Sequence, residues 1–152
     1  MNTIDYFKLQ AKNLHRDFKT KTPVFDNVIN DFLYEYSPKY FDIDQIVLDY
    51  KLNEEKFSLM NAQHVIADLA GFNKWNKLIN ASEDELELAK LLFDNQNIID
   101  LFSWNHYILQ TESLNGYEID AETKLEIFKQ VVLEDNIFNL VIDGYLLKNK
   151  SD

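Results

Sequence analysis

Cysteine is absent from the 152 residues, which removes disulfides, thiolate nucleophiles, zinc-thiolate centres and iron-sulfur clusters together and suits a reducing cytoplasm. Glycine and proline are nearly absent too: Gly71, Gly116 and Gly144, with Pro23 and Pro38, are the full set. A phosphate-cradling loop needs several glycines so that backbone amides can approach the ligand, so nucleotide-binding fingerprints are excluded. The same scarcity of chain breakers favours long helices. Long apolar runs are also missing. The longest stretches free of Asp, Glu, Lys and Arg, 57–67 and 101–111, have 11 residues each, whereas a membrane-spanning helix needs about 20. The first residues, Met1-Asn2-Thr3-Ile4-Asp5, form no basic-then-apolar leader, and residue 2 is not the glycine that myristoylation requires. The expected location is therefore the cytoplasm, with no membrane partner.

Catalytic signatures are equally scarce. There is no G-x-S-x-G elbow, and His15, His64 and His106 stand in no H-E-x-x-H pattern. Lys12, Asn61 and Ser103 lie three residues before them, so the Glu-x-x-His pairs of di-metal bundles are missing as well. His64 and His106 fall on expected helices, where a partly buried imidazole bonded to a carbonyl is the ordinary explanation. No catalytic residue, cofactor site or metal ligand is expected. Acids at Glu83, Asp84, Glu85 and Glu87 open a helix, as capping and the helix dipole alone would arrange them.

What is present is apolar surface and negative charge. Apolar residues make up 46% of the chain and aromatics 14%, enough for burial to offset the entropy of ordering. This length suits one domain. Net charge is −11. Residues 1–21 hold five cations against two acids, a net of +3, which leaves −14 for the remainder. That field repels phosphate backbones and anionic lipid and favours solubility or a basic partner, so nucleic acid is disfavoured and ordinary surface solvation is the simplest reading of the charge.

Ile4, Phe7, Ala11, Leu14 and Phe18 form an apolar stripe on a helix starting near Thr3, with Lys8, Lys12, Arg16 and Lys19 as a basic ridge beside it. Residues 23–52 read as short helices and loops, with Ser37-Pro38 as one helix start and Phe32, Tyr34, Tyr36, Tyr40, Phe41 and Tyr50 gathered among acids. Ser58 caps a helix running to Ala70, with Gly71 as its left-handed stop, and Asn73 caps a short helix bearing Trp75, Leu78 and Ile79. Trp75 and Phe72 should plug that junction over Ala67 and Ala70.

Ser82-Glu83-Asp84-Glu85 is a capping box. Between Leu86 and Leu109 the apolar residues surround the axis, with a break near Asn95 to Asn97, which suits buried central helices. Asn115-Gly116 marks a turn, Asp120 caps a helix to about Asp135, and Ile137, Leu140, Val141 and Tyr145 suggest a last amphipathic helix. The expected fold is all-α: a single-domain helical bundle or orthogonal helical array of about 6–8 helices spanning 1–152, with 1–80 and 82–148 as candidate sub-units.

Two stretches also resemble a known family. Leu9-Gln10-Ala11-Lys12-Asn13-Leu14, together with His64-x-x-Ala67-x-x-Ala70-Gly71-Phe72-x-x-Trp75-Asn76-x-Leu78, is similar to a small bacterial helical domain described as related to the glyoxalase superfamily. That domain pairs a Q-A-K-x-L helix with an A-x-x-x-G-F-x-x-W-x-x-L hairpin. The match covers about residues 6–80, with a long insert between the motifs. It implies a structural hairpin and carries over no catalytic residue.

The expected function is a non-catalytic, acidic helical module for protein interaction, such as an inhibitor or regulatory partner. Its candidate surface is Lys8, Lys12, Arg16, Lys19, Tyr34, Tyr36 and Tyr40. The basic ridge could equally dock on the protein's own acidic remainder, and homo-oligomers stay open. The alternative is a small-ligand binder or enzyme with a pocket between helices.

Overall fold

A computed structural model describes residues 1–138 and 141–149. The described residues hold seven α-helices and one two-stranded antiparallel sheet. The chain is thus mostly helical without being all-α.

Helix α1 (Thr3–Phe18) starts where the Asn2 side chain accepts the Asp5 amide, and Phe7, Ala11, Leu14 and Phe18 are buried along one stripe. The chain then forms strands β1 (Thr22–Asp26) and β2 (Asp31–Glu35) in place of the expected short helices. Val24-Phe25 and Phe32-Leu33-Tyr34 are runs of strong strand formers on either side of Asp and Asn residues, and that local chemistry prevails. Asp26 accepts the amides of Val28 and Ile29 within the turn, and Asn30 takes the left-handed conformation at φ 55°.

Ser37-Pro38 starts no helix. Helix α2 (Ile43–Tyr50) begins at Asp42, whose side chain accepts the Gln45 amide. The segment before it is tied to α1 by a residue the sequence pattern did not flag. Asp17 is buried, and its carboxylate accepts the amides of Lys39, Tyr40 and Phe41 at 3.0, 2.8 and 2.9 Å.

Helix α3 (Leu59–Leu69) opens on a Ser58/Asn61 capping box, and Gly71 follows its end at φ 94°, as expected. Helix α4 (Trp75–Ile79) begins at Lys74 with no side-chain cap, so Asn73 does not serve. The junction is filled by Leu78, which is fully buried, while Phe72 and Trp75 are half-buried. Leu78 takes the innermost position of this short helix, and Trp75, one turn earlier, packs on the same cluster from its margin.

Helix α5 (Glu83–Asp94) carries the Ser82/Glu85 capping box. Leu86, Ala89 and Phe93 face one apolar cluster with α1, α2, α3 and α4, whereas Leu88 and Leu92 face a second. The apolar surround read from the sequence therefore holds for α5. Helix α6 (Leu101–Asn115) departs from it: only Trp104 and Ile108 are buried, and Phe102 and Leu109 are exposed. Its one covered stripe joins the cluster shared by Leu88 and Leu92 of α5, by α7 (Ala121–Ile127) and by the π-helical turn Phe128–Glu134 that continues it.

The expected last helix is absent among the described residues, and Leu140 lies outside them. Ile137 and Val141 are exposed. Residues 142–147 run back along the body instead: the Tyr145 amide donates to Gln96, its carbonyl accepts the Asp42 amide, and Leu146 bridges Phe41. Gly144 permits this, since a Cβ there would lie 2.5 Å from the Gln96 Cβ. The extended backbone needed for these ties is incompatible with a helix. A short 3-10 turn, Leu147–Asn149, follows.

Candidate interaction surface

The β1–β2 ribbon is where apolar residues stay in water. Pairing sets Thr22 against Glu35, Pro23 against Tyr34, Val24 against Leu33, Phe25 against Phe32 and Asp26 against Asp31. Directly opposed residues share a face. One face is therefore Pro23, Phe25, Phe32 and Tyr34, and the other joins Val24 and Leu33 to Thr22, Glu35 and the two aspartates. Phe25 is 47% exposed, Phe32 61%, Leu33 49% and Val28, at the tip, 93%. The rings of Phe25 and Phe32 meet edge to face at 5.4 Å. A two-stranded ribbon is at best marginally stable alone in water, and the two strands pack chiefly on each other.

The base of the ribbon, by contrast, is fixed. Tyr36 donates to Glu54 at 2.8 Å and its ring meets Phe18, which in turn stacks on Phe57. The Ser37 amide donates to Thr20, and the Lys21 ammonium sits over the Tyr34 ring at 4.7 Å while donating to the Glu54 carbonyl. Burial first, and then the Glu54 bond, pushes the Tyr36 phenol above its ordinary range. It is a fixed donor. Of the tyrosines named from the sequence, Tyr34 lies on the ribbon's aromatic face, Tyr36 at its base and Tyr40 further along, under the Lys39 ammonium.

Lys8, Lys12 and Arg16 on α1, and Lys19 at its C-terminal cap, are all exposed. Among the described residues none of the four forms an ion pair. The carboxylate within α1's last turn, Asp17, holds the 39–41 amides instead. No family model, curated protein or solved structure matches this chain. The site must be read from its own chemistry.

A second feature is an open cavity of about 390 Å³ lined by Tyr50, Asp68, Ile99, Asp100, Asp143 and Tyr145, among others. Tyr50 donates to Asp68 at 2.6 Å, Tyr145 donates to Asp49, and the two rings lie 6.3 Å apart. Burial, then the carboxylate bond, raises both phenols above their usual range. They are held protonated as donors and are poor bases. Tyr6, bonded to Asp94, is raised for the same reasons.

The histidines fall outside both features. His64 and His106 are exposed, against the expectation of partly buried rings; the helix faces that carry them meet no other layer. His106 stacks on Phe102 at 6.1 Å, while Trp104, on another side of α6, packs on Phe128. They do not converge on one pocket. Of the ribbon, the surface expected from the sequence includes Tyr34 but neither Phe25 nor Leu33; the apolar pairs Val24-Phe25 and Phe32-Leu33 on either side of Asp and Asn residues are the available signal.

Proposed function

We propose that the chain is a non-catalytic protein-interaction module whose docking surface is the β1–β2 ribbon. The observation that carries this reading is the exposure of Phe25, Val28, Phe32 and Leu33 on one ribbon with a fixed base. Aromatic residues grouped in a water-exposed patch are the usual anchors of protein interfaces. The ridge of Lys8, Lys12, Arg16 and Lys19 is a second contact surface in this reading, of opposite charge. Regulation or inhibition of a partner follows naturally for a module with no chemistry of its own. The resemblance to the glyoxalase-related helical domain supports the α3–α4 hairpin as framework and adds no site residue.

The test is quantitative affinity capture from the native cell with the wild-type chain and a Phe25→Ser/Phe32→Ser variant side by side. A specific protein enriched by the wild type and lost from the variant is the expected result. Identical captured sets would remove the ribbon from the function.

The cavity beside Tyr50 and Tyr145 favours a second reading, a binder of small amines. Its apolar floor (Leu69, Leu92, Ile99) and acidic rim (Asp68, Asp100, Asp143) include no cation, which suits an organic cation with an apolar body. A saturable rise in melting temperature with small aliphatic amines, lost in Asp68→Asn, would support it. Equal shifts in both proteins would reject it.

A further inference from the structure

We infer that the ribbon's occupant is a basic, apolar-faced helical segment laid across Pro23, Phe25, Phe32 and Tyr34, and not a strand added to either edge. The inference rests on the ribbon being the docking surface and goes on to define its partner. Three observations carry it.

The first is charge. Residues 22–35 contain Asp26, Asp31 and Glu35 and no Lys or Arg, while the flanking Lys21 is already held by Tyr34 and Glu54. The three carboxylates stand on the ribbon's other face, with Val24 and Leu33, well within a Debye length of the aromatic face, so their field favours a segment with apolar residues on one side and long cationic side chains that reach round the ribbon's edges. A second copy of this chain fits poorly. In a two-fold dimer the same patch meets itself, which would bring together two acidic ribbons and two bodies that each carry −11.

The second is the state of the edges. Pro23 has no amide hydrogen, and the Phe32 amide donates to the Asp31 side chain at 2.7 Å. Both facts place the Pro23/Tyr34 and Phe25/Phe32 pairs in the class that exchanges no ladder bonds, whose outward groups would receive a third strand. On β1 that edge lacks a donor at Pro23, and on β2 the Phe32 donor is already taken. Proline and charged side chains on an edge are common devices against strand addition.

The third is geometry. Opposed side chains of a pair without ladder bonds approach closely, and here they bring Phe25 and Phe32 into edge-to-face contact, 5.4 Å between ring centres. The two rings make one continuous aromatic ledge next to Pro23. A helix can present its apolar residues to such a ledge at i, i+3, i+4 and i+7.

The experiment uses the full chain and three fluorescent peptides of about 18 residues, long enough for helix formation: an amphipathic Leu/Lys helix, the same helix with Glu for Lys, and an alternating Val/Lys strand. Binding is read by anisotropy at low and moderate salt. The Leu/Lys helix should bind best. Phe25→Ser/Phe32→Ser should weaken it by about tenfold or more, the scale of losing interface anchors. Asp26→Asn/Asp31→Asn/Glu35→Gln should weaken it several-fold and flatten its salt dependence. That second variant keeps every apolar contact and both turn acceptors, so it reads the charge claim even if losing both rings loosens the ribbon.

Equal binding of the Leu/Glu helix, still sensitive to the Phe pair, would overturn the basic partner while leaving the docking surface standing. Tighter binding of the strand peptide than of the helix would overturn docking on the face. Indifference of all three peptides to both variants would overturn the docking surface itself. Concentration-dependent dimers lost in the Phe pair would identify a second copy as occupant and overturn the inference.

Discussion

Two hairpins in this chain are built from similarly apolar sequence and end up in opposite environments. In the α3–α4 hairpin Ala62, Val65, Ile66, Ala67, Leu69 and Leu78 are buried. In the β1–β2 hairpin Val24, Phe25, Val28, Ile29, Phe32 and Leu33 are exposed. The difference lies in what each hairpin finds to pack on. Helix α3 packs along α1 and α4 folds back against α3, so the apolar side chains of both find cover. The ribbon leaves the body beyond Lys21 and returns at Tyr36, and its strands have only each other. Apolar content says that a segment wants covering; only the neighbouring elements say whether the chain itself provides the cover.

Substitutions in the two hairpins should therefore separate by magnitude. Leu78→Ala removes a fully buried side chain and is expected to cost about 2–5 kcal/mol in denaturant unfolding; a loss under about 1 kcal/mol would show that the α4 junction is loosely packed. Asp17→Asn replaces a carboxylate that accepts three amides and should cost about 2–3 kcal/mol, since at least one of those donors then faces an NH₂ group. Unchanged stability would mean that the 39–41 segment is held by its other contacts. Trp75→Ala falls lower, at about 1–2 kcal/mol, because the ring is only half-buried and cannot reach the cost of a fully buried aromatic. Phe25→Ser/Phe32→Ser should cost less than about 1 kcal/mol globally, the range for exposed positions. A cost comparable to that of Leu78→Ala would abolish the contrast.

The smallest expected effect comes with pH. Tyr6, Tyr36, Tyr50 and Tyr145 are all raised by burial and then by their carboxylate partners. Above their ordinary value of 10.0 the unfolded chain loses these protons while the folded chain keeps them, so their contribution is complete below that value and fades as pH rises past it. The melting temperature should hold steady through pH 9 and fall beyond 10. A Tyr50→Phe/Tyr145→Phe variant should show a shallower fall; a parallel curve would assign the effect to other groups.

The helices were legible because their signals are local. Ser58 and Ser82 cap where the sequence said, Gly71 and Gly116 take left-handed stops, and the break after Asp94 falls beside Asn95. The ribbon was hidden by its surroundings: Tyr36, Tyr40 and Phe41 belong to the ties at its base, and reading them together with Phe32 and Tyr34 blurred a strand-turn-strand pattern into an aromatic cluster. The run from Ile142 to Leu147 was illegible for another reason. Its extended form depends on Gln96, Asp42, Tyr40 and Phe41, all distant in sequence, and an apolar spacing of three or four cannot reveal them. Of the candidate surface, helical spacing alone places the α1 cations on an exposed flank, whereas the position of carboxylates distant in sequence is beyond any local pattern.

The most direct test of the ribbon as docking surface places a photoreactive phenylalanine analogue at Phe32 and, as control, at Leu48, which is also exposed but lies on α2. Both proteins are expressed and irradiated in the native cell. A discrete adduct formed from position 32, absent from position 48 and lost when Asp26, Asp31 and Glu35 are neutralised, is the expected result. The same set of weak adducts from both positions would contradict it.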